Sequence, residues 1–261
     1  MTIVKHELRR GRTSLIIWTG VIGFLLAVCV FLYPEMKKEM GQISEMFASM
    51  GAFTSAFGMD KLDFGTLVGY YAIECGNVLG LGGAFFASIC ALGMLSKEER
   101  QGTAEFLLTH PVKRTRIVSE KLAALMIQVV AMNVIVFGVS VASMAAVGEA
   151  IPWREVLLLH AAYLFMQIEI ASVCFGISAF VGRGGVGIGI GVAALAYFLN
   201  IVANITSKAE FLKYVTPFGY CDGAEIVETG SLDCAKLGIG GAVSLVCIAA
   251  AYLKYRKKDV R

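Results

Sequence analysis

Six apolar runs constrain this chain more than any other feature of it. They cover about residues 14–33, 66–95, 117–147, 155–181, 186–206 and 235–253. A helix rises about 1.5 Å per residue, so about twenty residues cross a hydrocarbon core about 30 Å thick. Inside lipid a segment must satisfy its own backbone hydrogen bonds, and a lone apolar run does so as a helix. The runs predict an all-α integral membrane protein of six transmembrane helices, a single transmembrane domain over residues 1–261. Only 16% of the residues are charged, against about a quarter in soluble domains. That leaves no room for a soluble catalytic domain, and nothing points to nucleic acid.

The remaining charges are unevenly placed. With six spans, sixteen of the 23 Lys and Arg residues fall on the side that holds both termini, and seven on the other. Basic residues stay in the cytoplasm, which predicts a multi-pass protein of the plasma membrane with both termini cytoplasmic. In segment 1–13, Ile3, Val4 and Leu8 are set against Lys5, His6, Arg9 and Arg10. It reads either as an amphipathic helix lying on the inner membrane surface or as a plain topogenic tail. The run after it is too long for a signal-peptide core and lacks a small-residue cleavage site, so it is expected to be retained.

The polar connection 96–116 has an internal order. Gly102 is suited to end one helix. Thr103 is a good N-cap for the next, with Glu105 in its first turn, where the helix dipole favours an acid. Phe106, Leu107 and Leu108 give that helix an apolar face, and Pro111 stops it. The expectation is a short cytosolic helix between spans two and three that needs a groove on another molecule. Glu98-Glu99-Arg100-Gln101-Gly102-Thr103, Leu107-Leu108-Thr109-His110-Pro111, Arg114-Thr115-Arg116-Ile117-Val118 and Lys121 together resemble the signature of ABC-2 type exporter permeases. A weaker match is Thr216-Pro217-Phe218-Gly219-Tyr220, then Cys221-Asp222-Gly223-Ala224 in place of the usual acidic-alanine pair, then Ile226. The chain is similar to the permeases that export lantibiotics or phenol-soluble modulins. The resemblance implies that segment 96–116 is a coupling element docking on an ATPase subunit. Glu98, Glu99 and Arg100 would make its polar contacts, Phe106 and Leu107 would be its apolar knobs, and Gly102, Thr103, Glu105 and Pro111 would shape it. It also implies that 1–13 is an elbow helix and that two copies of the permease pair with two ATPase subunits. ATP and Mg would be bound by the partner ATPase, leaving no cofactor in this chain.

Two segments lie on the opposite side. Pro34 is expected to end span one. Met36, Met40, Ile43, Phe47 and Met50 then recur at helical spacing. They predict an amphipathic helix at the outer leaflet, either packed on the membrane domain or offering a soft surface to cargo. Segment 207–234 carries Phe211, Leu212, Tyr214, Val215, Phe218 and Tyr220, interrupted by Pro217 and Gly219. It reads as a re-entrant hairpin that must be buried by protein, and the resemblance implies outer re-entrant helices at this place. Cys221 and Cys234 lie in it and either pair or stay free. Cys29, Cys75, Cys90, Cys174 and Cys247 fall in apolar spans as small packing residues.

No catalytic or metal-binding constellation is evident: His6, His110 and His160 are far apart. The glycine run Gly184–Gly191 enters an apolar span and lacks the Lys-Ser/Thr of a phosphate loop, so it reads as close helix packing. Gly76, Gly80 and Gly83 read the same way. ATP hydrolysis would therefore belong to another chain. Polar side chains inside spans are costly and mark either a pathway or an interhelical bond. The pathway candidates are Glu74 and Asn77 in span two, Gln128 in span three, and Gln167 and Glu169 in span four. The favoured reading is the membrane subunit of an ABC exporter for amphipathic peptide or lipophilic cargo. Export of drugs or sodium on the same scaffold, an ion-coupled secondary carrier using Glu74 and Glu169, and a non-transporting immunity or sensor protein are the alternatives. Carriers show interrupted helices in matching halves, and no such pair is visible here.

Overall fold

Each apolar run folds as one helix, and most overshoot the run that specifies them. The computed structural model describes residues 2–39, 51–56, 61–102, 112–181 and 185–257. Helix α1 is Thr2–Lys38 and α2 is the short Ala52–Ala56. Helix α3, Leu67–Glu74, runs through a wide π turn at Cys75–Gly80 into α4, Leu81–Arg100. Then come α5, Arg114–Val147, α6, Trp153–Phe180, and α7, Val186–Ile205. Two tight 3-10 turns, Ser207–Tyr214 and Pro217–Tyr220, lead to α8, Gly223–Thr229, and α9, Cys234–Lys257. The described residues contain no strand. Among the described residues six helices (α1, α3 with α4, α5, α6, α7 and α9) are long and apolar enough to cross a membrane, so the fold is the expected all-α one.

Helices α4 and α6 form the centre. Helices α5 and α9 flank α6, α7 flanks α4, and α1 lies along α5. Without water to expel between spans, association rests on close packing and interhelical hydrogen bonds. Gly76, Gly80 and Gly83 of span two supply the closeness. A Cβ added at Gly76 or Gly80 would stand 3.0 Å from Tyr163, and one at Gly83 would overlap the Gln167 amide. In the glycine run, Gly189 alone among Gly187, Gly189 and Gly191 meets a neighbour, the Ser88 carbonyl. Tyr71, Phe86 and Phe175 are fully buried, whereas α7 and α9 keep most of their surface exposed.

Several expectations change. No break separates an elbow from span one: α1 is continuous from Thr2, because nothing at 2–13 stops a helix and Gly11 seats it against Gln128. Pro34 does not end α1 either. It forfeits only its own N–H near the end of the helix, and the chain continues for one more turn while Tyr33 donates to the Gly65 carbonyl at 2.9 Å. Segment 207–234 is three short helical pieces. It enters the bundle from the side opposite the termini: Thr216 donates to the Ala196 carbonyl at 2.7 Å and Phe218 lies edge-on to Tyr197. Cys221 and Cys234 are free thiols, one buried and one exposed. Met40, Ile43, Phe47 and Met50 of the expected outer helix lie outside the described residues.

Asp233 starts the last span. Its Oδ1 accepts from the backbone N–H of Ala235 at 2.9 Å and of Lys236 at 3.2 Å. The Lys236 N–H is the main cause that holds its carboxyl below the ordinary 3.8. A carboxylate depressed in the fold adds stability above its unfolded pKa and loses it as pH falls through the folded one. Melting measured from about pH 6 down to about pH 3 should therefore fall less in Asp233→Asn than in the parent chain. Gly83→Ala should lower stability by about 1–3 kcal/mol through overpacking against Gln167, while Gly138→Ala, which meets open space, should not. Thermal denaturation followed by size-exclusion chromatography reads both.

Candidate functional site

The end of α4 turns a rule about burial into a joint. Lys97 and Glu98 are consecutive there, so their side chains leave the helix about 100° apart. One points to α1 and the other to α5. Lys97 Nζ donates to Glu7 Oε2 on α1, and Lys121 Nζ on α5 donates to Glu98 Oε1 and to the Met94 carbonyl. Glu7 Oε1 stands 3.6 Å from Lys121 Nζ and closes the group. Glu7 and Lys121 are 2% and 1% exposed. Charges at that depth are tolerated only when paired, and two lysines with two glutamates cancel. Among the described residues Glu98 Oε2 is buried without a partner.

Neighbouring contacts widen the joint. Glu120 Oε2 accepts from the backbone N–H of Ile3 at 3.1 Å and of Val4 at 3.4 Å, an acid on the positive end of α1. Its Oε1 accepts from Arg116 at 2.9 Å. Ser119 shares a hydrogen bond of 2.7 Å with Tyr252, and Arg114 donates to the Arg256 carbonyl at 3.3 Å, which brings in α9. Gly102, with φ +67°, closes α4 in the left-handed region that glycine accepts freely. Thr103, Glu105, Phe106, Leu107 and Pro111 lie outside the described residues, as do the side chains of Glu99 and Arg100. Glu98 faces the bundle. Sequence reasoning did not find Glu7 or Lys97. The one available signal was an acid alone in a basic N-terminal stretch.

The five pathway candidates within the spans occupy separate places. Gln167 donates to the Leu79 carbonyl in the π turn at 3.3 Å and accepts from Asn133 at 2.7 Å, tying α6 to α5 and to span two. A π turn frees carbonyl capacity for such a bond. Glu169 accepts from the Tyr220 hydroxyl at 2.8 Å. Burial pushes that hydroxyl up from its ordinary value, which keeps it a donor, and burial raises the Cys221 thiol too. Glu74 accepts from Cys29 at 3.4 Å, Asn77 from Tyr197 at 3.3 Å, and Gln128 donates to the Ala124 carbonyl at 3.3 Å. A cavity of about 60 Å³ lies beside Asn77, Asn200, Asn204 and Asp222. It is polar and roomy enough for ordered water. Among the described residues no group of His, Cys, Asp and Glu stands together as a metal site.

Six membrane-crossing helices with a polar, hydrogen-bonded interior define a multi-pass membrane protein. The family profile described as ABC-2 family transporter protein matches residues 1–260, and the chain belongs to that family. It is thus a permease subunit of an ABC transporter, and its family works with an ABC ATPase subunit. No curated protein matches the chain.

Removing one partner from the buried ion group leaves a charge unpaired. Lys121→Met should destabilise by about 3–5 kcal/mol. Pairing it with Glu98→Gln should recover part of that loss, so a double-mutant cycle on melting should give a clear coupling energy.

Proposed function

We propose that this chain is the membrane half of an ATP-driven exporter in the plasma membrane, with both termini and segment 96–116 in the cytoplasm. Two copies pair with two ATPase subunits that bind ATP and Mg, and the cargo is an amphipathic peptide or a lipophilic molecule. The observation that carries the reading is the ion group at the root of segment 103–111. A push on that segment reaches α4 and α5 at once, and α1 through Glu7. Rigid, charge-locked levers of this kind suit a machine driven from outside its own chain. Glu99, Arg100, Glu105, Phe106 and Leu107 are the proposed ATPase contacts, shaped by Gly102, Thr103 and Pro111. Glu98 serves the joint behind them.

Glu74, Asn77, Gln128, Gln167 and Glu169 are proposed to line or brace the cargo route. The polar cavity beside Asn77 supports a route that passes between span two and α7. Glu74 and Glu169 meet different neutral donors in different places, an arrangement that suits helix positioning better than a shared ion site.

The test is co-purification of the chain with its ATPase in lipid. Glu99→Arg and Phe106→Glu should each weaken the complex by about thirtyfold, the loss expected at an interface centre. Lys208→Glu, on the opposite side, should not. A chain that holds the ATPase equally well in all variants, or moves cargo in response to an ion gradient alone, would overturn the reading.

A further inference from the structure

A groove of about 310 Å³ opens beside the joint, between α1 and the start of α7, with α4 as its floor. Its depth is set by the sequence. Arg10 lies one turn before the apolar run of α1 begins, and Lys97 lies two residues past Leu95, where that of α4 ends. Both cations therefore sit at headgroup level, where basic side chains meet the membrane surface.

The lining is divided. Arg10, Ser14, Lys97 and Gln128 supply polar groups on one part, while Ile89 and Val186 are apolar. Glu7 also borders the groove, but it is occupied by Lys97 and approached by Lys121. Arg10 is exposed and has no ion pair or hydrogen bond among the described residues. The local balance is an excess positive charge with a guanidinium fork free to bind. Gly93 leaves the room: a Cβ there would meet no atom within 4 Å. Exposed Ile17 on α1 and exposed Ile190 on α7 follow about one turn after Ser14 and Val186 of the lining. The groove faces the hydrocarbon layer as well as the surface.

We propose that this groove binds one anionic phospholipid of the leaflet that meets the chain termini, its phosphate on Arg10 and Lys97 and an acyl chain along Gly93 and Val186. A planar guanidinium matches phosphate oxygens in pairs, and basic pockets between spans are suited to such headgroups. A free phosphate would use the cations and leave the apolar half empty, so the shape favours a lipid. The bound headgroup bridges α1 to α4 next to the Glu7–Lys97 pair, and it would brace the joint from the membrane side. This site depends on the fold and on membrane insertion, not on the direction of transport or its cargo.

The experiment uses the full chain in discs of phosphatidylcholine with or without phosphatidylglycerol, reading retained lipid by native mass spectrometry and stability by melting. Phosphatidylglycerol should be retained selectively and should raise the melting temperature, as any ligand of the folded state does. Arg10→Gln and Gly93→Leu should each weaken retention by about tenfold, the loss of one charge-assisted contact or its equivalent. Arg12→Gln removes the same charge outside the groove and should leave retention unchanged. Melting in pure phosphatidylcholine shows that each variant is folded. Equal retention in the parent chain, Arg10→Gln and Gly93→Leu would overturn the proposal, as would equal retention of the two lipids. Inorganic phosphate that protects the detergent-solubilised chain as well as the lipid does would also overturn it, by making this an ion site.

Discussion

A charge taken out of water must find its opposite at once, and four residues of this chain answer that demand in one place. Glu7, Lys97, Glu98 and Lys121 come from three helices and neutralise one another at the end of the bundle that holds both termini. The cost of separating them is what makes the end of α4 and the starts of α1 and α5 a single body. Apolar packing alone would let these helices slide, because lipid is as apolar as they are. The ion group forbids sliding without forbidding a concerted tilt. That distinction matters for a subunit whose family is worked by a partner.

The centre of the bundle uses a gentler version of the same logic. Gln167 binds Asn133 and the Leu79 carbonyl, and Tyr220 binds Glu169. Each bond is neutral on at least one side and each joins elements that the chain connects only through long detours. Together they set the rotation of α6, which the smooth surface of Leu, Ile and Val would leave free.

Much of the fold was legible in the sequence, because lipid imposes a length and a composition that a soluble environment does not. The close approach at Gly76, Gly80 and Gly83 was also legible, though not its partner. Nothing local says that Tyr163 and Gln167 fill the space. The joint was hidden for a related reason. Residue 7, the pair 97–98 and residue 121 are remote from one another in the chain, and a basic surface helix and a charged loop explain them equally well one at a time. Pro34 and the supposed elbow misled because local signals state what a residue prefers, while Glu120 on the start of α1 and the Tyr33–Gly65 bond decide what the helix does. Tyr220 read as one apolar residue of a buried hairpin, and its role as the donor to Glu169 depends on three short turns whose path no periodicity records.

The π turn at Cys75–Gly80 sets two phases within one span. A π turn holds one residue more than an α turn, so the faces on its two sides are offset by about 100° from a regular helix. Glu74 meets Cys29 on one side of it, and Gly83 meets Gln167 on the other. Loss of one residue anywhere from 75 to 80 would bring the halves back into phase and swing one of those contacts out of register. This span accordingly tolerates a change of side chain far better than a change of length.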